Sequence, residues 1–442
     1  MKTICMLDII VDVFNRGGVE NMYLMRLKVK IVCVVTLLLL CLLVACNEGQ
    51  VIKNEQTSGR TGNSTEVNMN STDTSIAITS TNNTSVVPST VVKGDLTHPK
   101  IIDVSDLNIK AEDIIFIDKE LWYVNSEGIS KYNLDANKNT VLKKTSDYNK
   151  IYYTDGNIWF SNYGLFDDSQ AELVVPLLRY NLGSKKFIDY SAEQLQGSSN
   201  LVVFGDSSKV WIGGGSTLAC LNLSDNSFTF LDNPGESISC IVANSKHTWF
   251  STLDAGIKDM TGDRKVSTYD SSNDLLDNFV SSLLLNKEKL WVNWGGEGES
   301  AGLSYMDLEK GKWKHYIGVA GSNFDESKVD KDLEGFTGYA WLDDSSVLWA
   351  IIQTDTSEEL RKFSDKDNKW VRISLNGKSI NTAISNGKYD LIGSTNGLGV
   401  FDIDTNKSEW VIKDNEIKKI FRKGKNSFIL VTSDGIKEVD FN

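Results

Sequence analysis

Residues 121–134 read LWYVNSEGISKYNL: an apolar stretch centred on Trp122, a short polar turn, and a second stretch in which apolar and polar residues alternate. Alternation with a period of two is typical of β-strands, and Asn, Ser and Gly at the join are typical of a tight turn. The same pattern returns seven more times before the end of the chain. The sequence therefore predicts a series of similar antiparallel hairpins.

The eight copies of this pattern are evenly spaced. From Trp122 to Ile429 in the last copy the chain advances 307 residues in seven steps, a period of about 44 residues that is typical of a four-stranded propeller blade. We expect an all-β fold, an eight-bladed β-propeller over residues 101–442, with seven blades as the alternative if the seventh or eighth copy is distorted. The copies begin at Leu121, Ile158, Val210, Thr248, Leu290, Leu348, Asp390 and Phe428.

Each blade is predicted to contain an inner strand A, strands B and C, and an outer strand D, at 112–118, 121–125, 128–134 and 140–144 in the first copy. The eighth copy stops at Phe441, after its strand C, whereas the first copy is preceded by an unmatched apolar stretch at 101–104. We expect this stretch to supply the missing outer strand. Its pairing would close the ring and remove two free strand edges that favour aggregation.

The tryptophans repeat with the blades. Of the 11 in the chain, six occupy the same strand-B position. A position that recurs in most blades is expected to pack between neighbouring blades rather than to form an aromatic ligand site.

The N-terminal segment has the pattern of a secretory signal. Arg26, Lys28 and Lys30 precede the apolar run 31–44, which as a helix would span about 21 Å, short of the roughly 30 Å hydrocarbon core of a membrane. We expect a signal peptide at 1–45, with 1–24 as an alternative upstream extension, because acidic residues precede the basic cluster.

The end of this run, Leu43-Val44-Ala45-Cys46, resembles the bacterial lipobox. The resemblance implies lipidation of Cys46 and a protein anchored to the cell membrane, facing outside the cytoplasm. Removal of the signal leaves two other cysteines, Cys220 and Cys240, in different predicted blades. Both are expected to be free thiols, with a disulfide bridge as the open alternative.

Residues 46–100 are dominated by Ser, Thr and Asn, and no aromatic residue lies between Cys46 and Phe116. Such a segment buries too little apolar surface to fold. It is predicted to be a disordered, lipid-anchored linker with a reach of about 40 Å. The net charge of −13 disfavours nucleic acid and anionic lipid surfaces as partners.

The stretch STNGLGVFDID at 394–404 resembles the repeat of the two-component-regulator propeller family, as do Val210-Trp211-Ile212-Gly213 and the stretch GLSYMD at 302–307. The resemblance covers nearly all of the predicted propeller. It implies a propeller fold and, for the family, sensor domains fused to a membrane helix and a kinase, neither of which is found in this sequence. The chain also resembles eight-bladed quinoprotein-type propellers, including a lipoprotein of outer-membrane barrel assembly.

Signals for catalysis are sparse. The chain has three histidines, His98, His247 and His315, and the predicted blades pair none of them with a partner group. Asp402, Asp404 and Asn406 alternate as calcium ligands do, but they fall in a predicted turn, where these residue types are common. We expect no metal and no cofactor. The alternative of an extracytoplasmic enzyme, a lyase or a quinoprotein-type dehydrogenase, stays open.

Connections B to C and D to A emerge on one face of a propeller, and here they include the longest insertions. We expect an acidic rim with exposed aromatics at blades five and six, binding a partner protein, a peptide or sugar, or another small ligand. Solvated loops without a ligand and a scaffold role in envelope assembly are the alternatives. The candidate ligand-binding residues are Trp294, Glu297, Glu299, Phe324, Asp325, Glu326, Phe336 and Asp355.

Replacing Cys46 with Ala should release the protein from the membrane fraction, because the thiol is the predicted attachment point for the acyl chains. The matched control is Cys41→Ala, in the same apolar run, which should leave the protein in the membrane fraction. Fractionation followed by immunoblotting measures both. Membrane retention of the Cys46→Ala variant would contradict the predicted lipidation.

Overall fold

The computed structural model describes residues 99–162, 177–191, 193–195, 201–206, 209–215, 217–231, 238–262, 265–295, 301–319, 329–354, 357–373, 375 and 379–441. Their secondary structure consists of 32 β-strands in eight four-stranded antiparallel sheets. Each sheet is one blade, and in seven of the eight the strands follow chain order from the inner strand A to the outer strand D. In the eighth, the outer strand is the first strand of the chain.

The first blade matches the strand bounds predicted above to within two residues. It is followed along the chain by three more blades, and these four are described first. Their strands are β2 (Asp113–Ile117), β3 (Glu120–Asn125), β4 (Gly128–Asn133) and β5 (Lys138–Lys143); β6 (Lys150–Thr154), β7 (Asn157–Ser161), β8 (Leu177–Asn181) and β9 (Lys186–Tyr190); β10 (Val202–Gly205), β11 (Lys209–Gly214), β12 (Thr217–Asn222) and β13 (Ser227–Leu231); and β14 (Ile238–Ala243), β15 (His247–Thr252), β16 (Ile257–Thr261) and β17 (Val266–Tyr269).

The other four blades complete the ring, so that the fold has eight blades and not seven. Their strands are β18 (Val280–Asn286), β19 (Lys289–Gly295), β20 (Ala301–Asp307) and β21 (Lys312–Val319); β22 (Phe336–Leu342), β23 (Leu348–Gln353), β24 (Glu358–Ser364) and β25 (Lys369–Ile373); β26 (Ile380–Ser385), β27 (Tyr389–Ser394), β28 (Gly397–Asp402) and β29 (Lys407–Lys413); and β30 (Ile417–Arg422), β31 (Ser427–Thr432), β32 (Ile436–Asp440) and β1 (Lys100–Ser105).

The eighth blade combines the two ends of the propeller. Strand β1 pairs antiparallel with β32, from Lys100 opposite Asp440 to Ser105 opposite Ile436. An ion pair of 2.6 Å between Lys437 and Asp103 joins the same two strands. The predicted closure of the ring by the stretch at 101–104 is therefore confirmed.

The hydrophobic core is divided into eight clusters, one at each junction between neighbouring blades. The cluster that joins blade eight to blade one contains Ile429 and Ile436 on one side and Leu121 and Tyr123 on the other. Five of the six strand-B tryptophans are at most 1% exposed: Trp122, Trp159, Trp249, Trp291 and Trp349. The predicted role of these tryptophans in packing between blades is thus confirmed.

The C-to-D turns explain the acidic and Asn-rich hairpins of the sequence. Four of them end in an Asn with positive φ, among them Asn406 at 56°, a conformation that Asn tolerates better than most residues. In the same turn Asp402 accepts a hydrogen bond from the Thr405 backbone N–H at 2.8 Å. The alternation of Asp402, Asp404 and Asn406 is therefore explained by turn formation.

The two faces of the ring differ in the length of their connections. The A-to-B and C-to-D connections contain at most five residues, at 343–347, and we call their side the hairpin face. The B-to-C and D-to-A connections form the loop face. They reach 15 residues at 162–176 and 16 residues at 320–335.

Loss of β1 should destabilise the propeller, because β32 would become an unpaired edge. A chain beginning at Asp106 should melt about 5 °C or more below a chain beginning at Pro99 and should scatter light on heating, since a strand of ladder hydrogen bonds is lost. A synthetic peptide of residues 99–106 should restore the melting temperature of the shorter chain. Equal melting temperatures without the peptide would contradict this account of ring closure.

Candidate functional site

Two of the predicted ligand-binding residues lie in the described structure, and both are buried: Trp294 is 1% exposed and Phe336 is 0% exposed. The expectation that they are exposed aromatics is therefore wrong. A Cβ on Gly302 would lie 2.2 Å from the Trp294 ring, so the missing side chain makes room for the indole. Phe336 belongs to the core between blades five and six. Cys46, Glu297, Glu299, Phe324, Asp325, Glu326 and Asp355 lie outside the described residues.

Charged side chains meet where blade five contacts blade six. Lys314 pairs with Asp330 at 3.0 Å. Glu359 binds Arg361 at 3.2 Å and Arg372 at 2.5 Å. We call these five residues together with Asp332 the five–six charge cluster. It holds three acids and three bases, so cations from β21, β24 and β25 balance the acidic charge of this cluster.

Burial changes the acid–base properties of this cluster. It raises the pKa of Asp332, and the neighbouring carboxylate of Asp330 adds to the effect. Burial also lowers the pKa of Arg361, against the opposing charge of Glu359. The Nε atom of Arg361 is buried without a hydrogen-bond partner. Such perturbed groups in a packed setting are a feature of binding sites, although ion-pair networks of purely structural role share it.

One histidine does have a carboxylate partner, contrary to the sequence-based expectation. His247 Nδ1 lies 2.8 Å from Asp259 Oδ1, and its ring stacks on Trp249 with centroids 5.1 Å apart. His247 is the first residue of β15 and so lies at the hairpin face, between strands B and C and away from the channel. The pairing of β15 with β16 places Asp259 opposite Trp249, a register that the predicted strands could have shown.

The other two histidines do not extend this pair. His315 Nδ1 lies 2.8 Å from Ser304 Oγ, and Ser304 also accepts a hydrogen bond from the Trp294 indole N–H at 2.8 Å. His98 lies outside the described residues. Across the ranges described above there is no group of three or more His, Cys, Asp or Glu side chains placed to hold a metal ion. In the same ranges, no helix has the length and apolarity needed to cross a membrane.

Sequence reasoning missed a buried ion pair between blades six and seven. Both oxygens of Asp390 lie 2.8 Å from the Lys362 ammonium, and the Asp390 side chain is 0% exposed. Burial raises the pKa of Asp390, while Lys362 opposes the shift. The signal was present in the sequence, because Asp390 occupies the position at which five of the six copies with a strand-B Trp have an apolar residue.

The five-residue hairpin 343–347 of blade six reaches three other blades. The Asn286 side chain donates to the Ser346 carbonyl at 2.9 Å, Asp343 accepts from the Ser385 N–H at 2.8 Å, and Arg422 donates to Ser345 Oγ at 2.8 Å. Asn286, Ser385 and Arg422 are the last residues of the inner strands of blades five, seven and eight. On the hairpin face, the 343–347 hairpin thus lies across the channel mouth next to blades five, seven and eight.

Comparison with known proteins supports the fold. No protein-family model matches the chain, and no curated protein sequence matches it. Among solved structures, the computationally designed protein Ika8 has 11% identity and a TM-score of 0.51, over 77% of this chain and 98% of its own. BamB from Moraxella catarrhalis has 11% identity and a TM-score of 0.48, over 77% of this chain and 100% of its own.

The extracellular domain of BT4673 from B. thetaiotaomicron, assigned as a hybrid two component system, has 18% identity and a TM-score of 0.43. The match covers 74% of this chain and 46% of that one. In total 807 chains of known structure match. Identities this low show the propeller fold alone, and a fold shared so widely does not distinguish between functions.

Asp332 should make stability depend on pH. Its pKa is raised above the ordinary value of 3.8 in the folded state, so the folded protein holds this proton more strongly than the unfolded chain. As pH rises from about 4, the folded state must release the proton, and the free energy of unfolding should fall relative to that of the Asp332→Asn variant. Urea unfolding at pH 4, 5, 6 and 7 measures the difference. Asp404→Asn, in an exposed turn, is the control, and a pH-independent difference between wild type and Asp332→Asn would contradict the assignment.

Proposed function

We propose that this protein is a non-catalytic, lipid-anchored protein of the cell surface whose propeller binds a partner protein or a small ligand through the loop face of blades five and six. The observation that carries the proposal is the unequal length of the connections. The longest, 320–335, joins these two blades on the loop face, whereas hairpin-face connections have at most five residues. Long connections on a rigid scaffold commonly carry binding function.

The five–six charge cluster supports the same location. Glu359 and Arg361 have side chains only 13% and 14% exposed, and they hold each other in one geometry. Arg372, which also pairs with Glu359, is 47% exposed. A fixed ion pair with one accessible cation provides an oriented polar contact for a partner. The acidic candidates Glu297, Glu299, Asp325, Glu326 and Asp355, with Phe324, belong to the adjoining connections and remain part of the proposed surface.

The lipid anchor and the propeller have distinct roles in this proposal. Lipidation at Cys46 would hold the protein at the membrane, and the linker 46–100 would let the propeller extend from it. The linker leads directly into β1 at the outer edge of blade eight. Blades five and six are three and two positions away around the ring, so the proposed surface is separate from the attachment point.

Site-specific photo-crosslinking in the native cells tests this function. A photoreactive phenylalanine analogue at the exposed Lys331, in the 320–335 connection, should give a discrete covalent adduct of higher mass. The matched control places the same analogue at the exposed Glu309, in the C-to-D hairpin of blade five on the opposite face. It should give no adduct. Adducts of the same mass from both positions, or none from Lys331, would contradict binding through the loop face.

A further inference from the structure

The inner strands carry a charge opposite to that of the protein. Across the eight inner strands there is one acidic residue, Asp113, against four basic residues: Lys150, Lys418, Lys419 and Arg422. The whole chain, in contrast, has a net charge of −13. The four bases belong to blades eight and two, on either side of blade one. A charge of one sign within a cleft concentrates ligands of the opposite sign.

Solvent exposure identifies the side chains that face the central channel. In a closed ring of blades, a side chain in the middle of an inner strand reaches water only through the channel. Among the described inner-strand side chains, three are exposed: Tyr153 at 48%, Tyr339 at 42%, and Lys419. Tyr153 is next to last in β6, and its hydroxyl accepts a hydrogen bond from the Gly156 N–H in the hairpin-face turn. Tyr339 and Lys419 lie further inside their strands and mark the channel wall. The other large exposed apolar side chains, Ile101, Ile102, Val141 and Val266, all lie on outer strands.

Lys419 is the free charge of this set. Asp113 uses one carboxylate oxygen for the Ile114 N–H and the other for the Ile151 N–H, at 2.9 and 3.0 Å. Lys418 donates to Asn108, and Arg422 to Ser345 and the Ser385 carbonyl. Within the described part of the chain, Lys419 has neither an ion pair nor a side-chain hydrogen bond. Its ammonium is therefore available to a ligand.

Tyr339 is directed into the channel by a distortion of its strand. The pairing of β22 with β23 jumps from Phe336 to Ala340, and Gly338 has a φ of 104°. Bulges of this kind re-aim side chains and are common beside functional sites. The Tyr339 ring lies 5.3 Å from the Trp341 ring, centroid to centroid. Although 42% of the residue is exposed, the packing around the phenol raises its pKa further above the ordinary value of 10.0, so at neutral pH the hydroxyl is protonated and can donate a hydrogen bond.

We propose that the central channel binds a small organic anion with a planar apolar body. The Lys419 ammonium would bind the anionic group, and the Tyr339 ring would contact the planar part by offset or edge-to-face stacking. Trp341 supports Tyr339 from the core between blades six and seven, where its indole N–H donates to the Ala383 carbonyl. Tyr339 and Lys419 belong to blades six and eight, which are separated by one blade. The inner strands of these two blades approach each other, because Arg422 of β30 donates to Ser345 in the hairpin that follows β22. The loop face of blades five and six is a different surface, so this site is independent of the proposed function.

Isothermal titration calorimetry of the purified full chain with 2-naphthoate, a planar carboxylate, and with its uncharged amide tests the proposal. We expect one saturable site for 2-naphthoate and at least about tenfold weaker binding of the amide, since a charge-assisted contact is lost. Lys419→Gln should weaken 2-naphthoate binding by about tenfold and leave the amide unaffected. Tyr339→Ser should weaken both probes.

The matched control is Lys413→Gln, which removes the same charge from an exposed position on the outer strand β29. It should bind both probes as the wild type does. The proposal is overturned if the wild type shows no saturable binding of 2-naphthoate, if the two probes bind equally, or if Lys413→Gln loses as much affinity as Lys419→Gln. Thermal melting of each variant separates loss of binding from loss of fold.

Discussion

The pairing of β1 with β32 is the interaction on which the rest of the structure depends. Seven blades are built from consecutive strands, and each could form from a single stretch of chain. The eighth needs residues from both ends, and its core cluster is the one that joins Ile429 and Ile436 to Leu121 and Tyr123. Val104 of β1 packs against the same cluster. Without β1, β32 would be an unpaired outer edge beside this junction.

Within the closed ring, blades are held by a repeated apolar contact and by local polar substitutions. The strand-B tryptophans fill most junctions, whereas blade seven has Leu391 at that position and gains the buried pair of Asp390 with Lys362 of blade six. Removing one partner of such a pair leaves a buried charge, at a cost of about 3–5 kcal/mol. The 343–347 hairpin adds contacts to the same sector, so blades five to eight are linked by polar contacts that span more than one junction.

The fold was predictable because its signal is repeated. Eight copies of one hairpin pattern with a regular period define the blades, the tryptophan positions and the missing strand, and local turn chemistry defines the hairpins. The candidate site was less predictable, because it depends on partners distant in sequence. The buried setting of Trp294 depends on Gly302 in the adjacent strand, the neutralisation of Glu359 on Arg372, and the exposure of Tyr339 on a local bulge. Composition of a loop reports the charges present but not which of them are paired.

The eighth blade, which contains strands from both ends of the propeller, also determines when the ring can close. Lys100 can pair with Asp440 only after more than three hundred intervening residues have been synthesised. Strand β1 therefore stays unpaired until β32 has been made. Contacts so remote in sequence form slowly, because the entropy of closing the loop is lost before the contact is gained. During synthesis, therefore, the pairing of β1 with β32 is the final event, and it marks the change from a linear array of sheets to a closed ring.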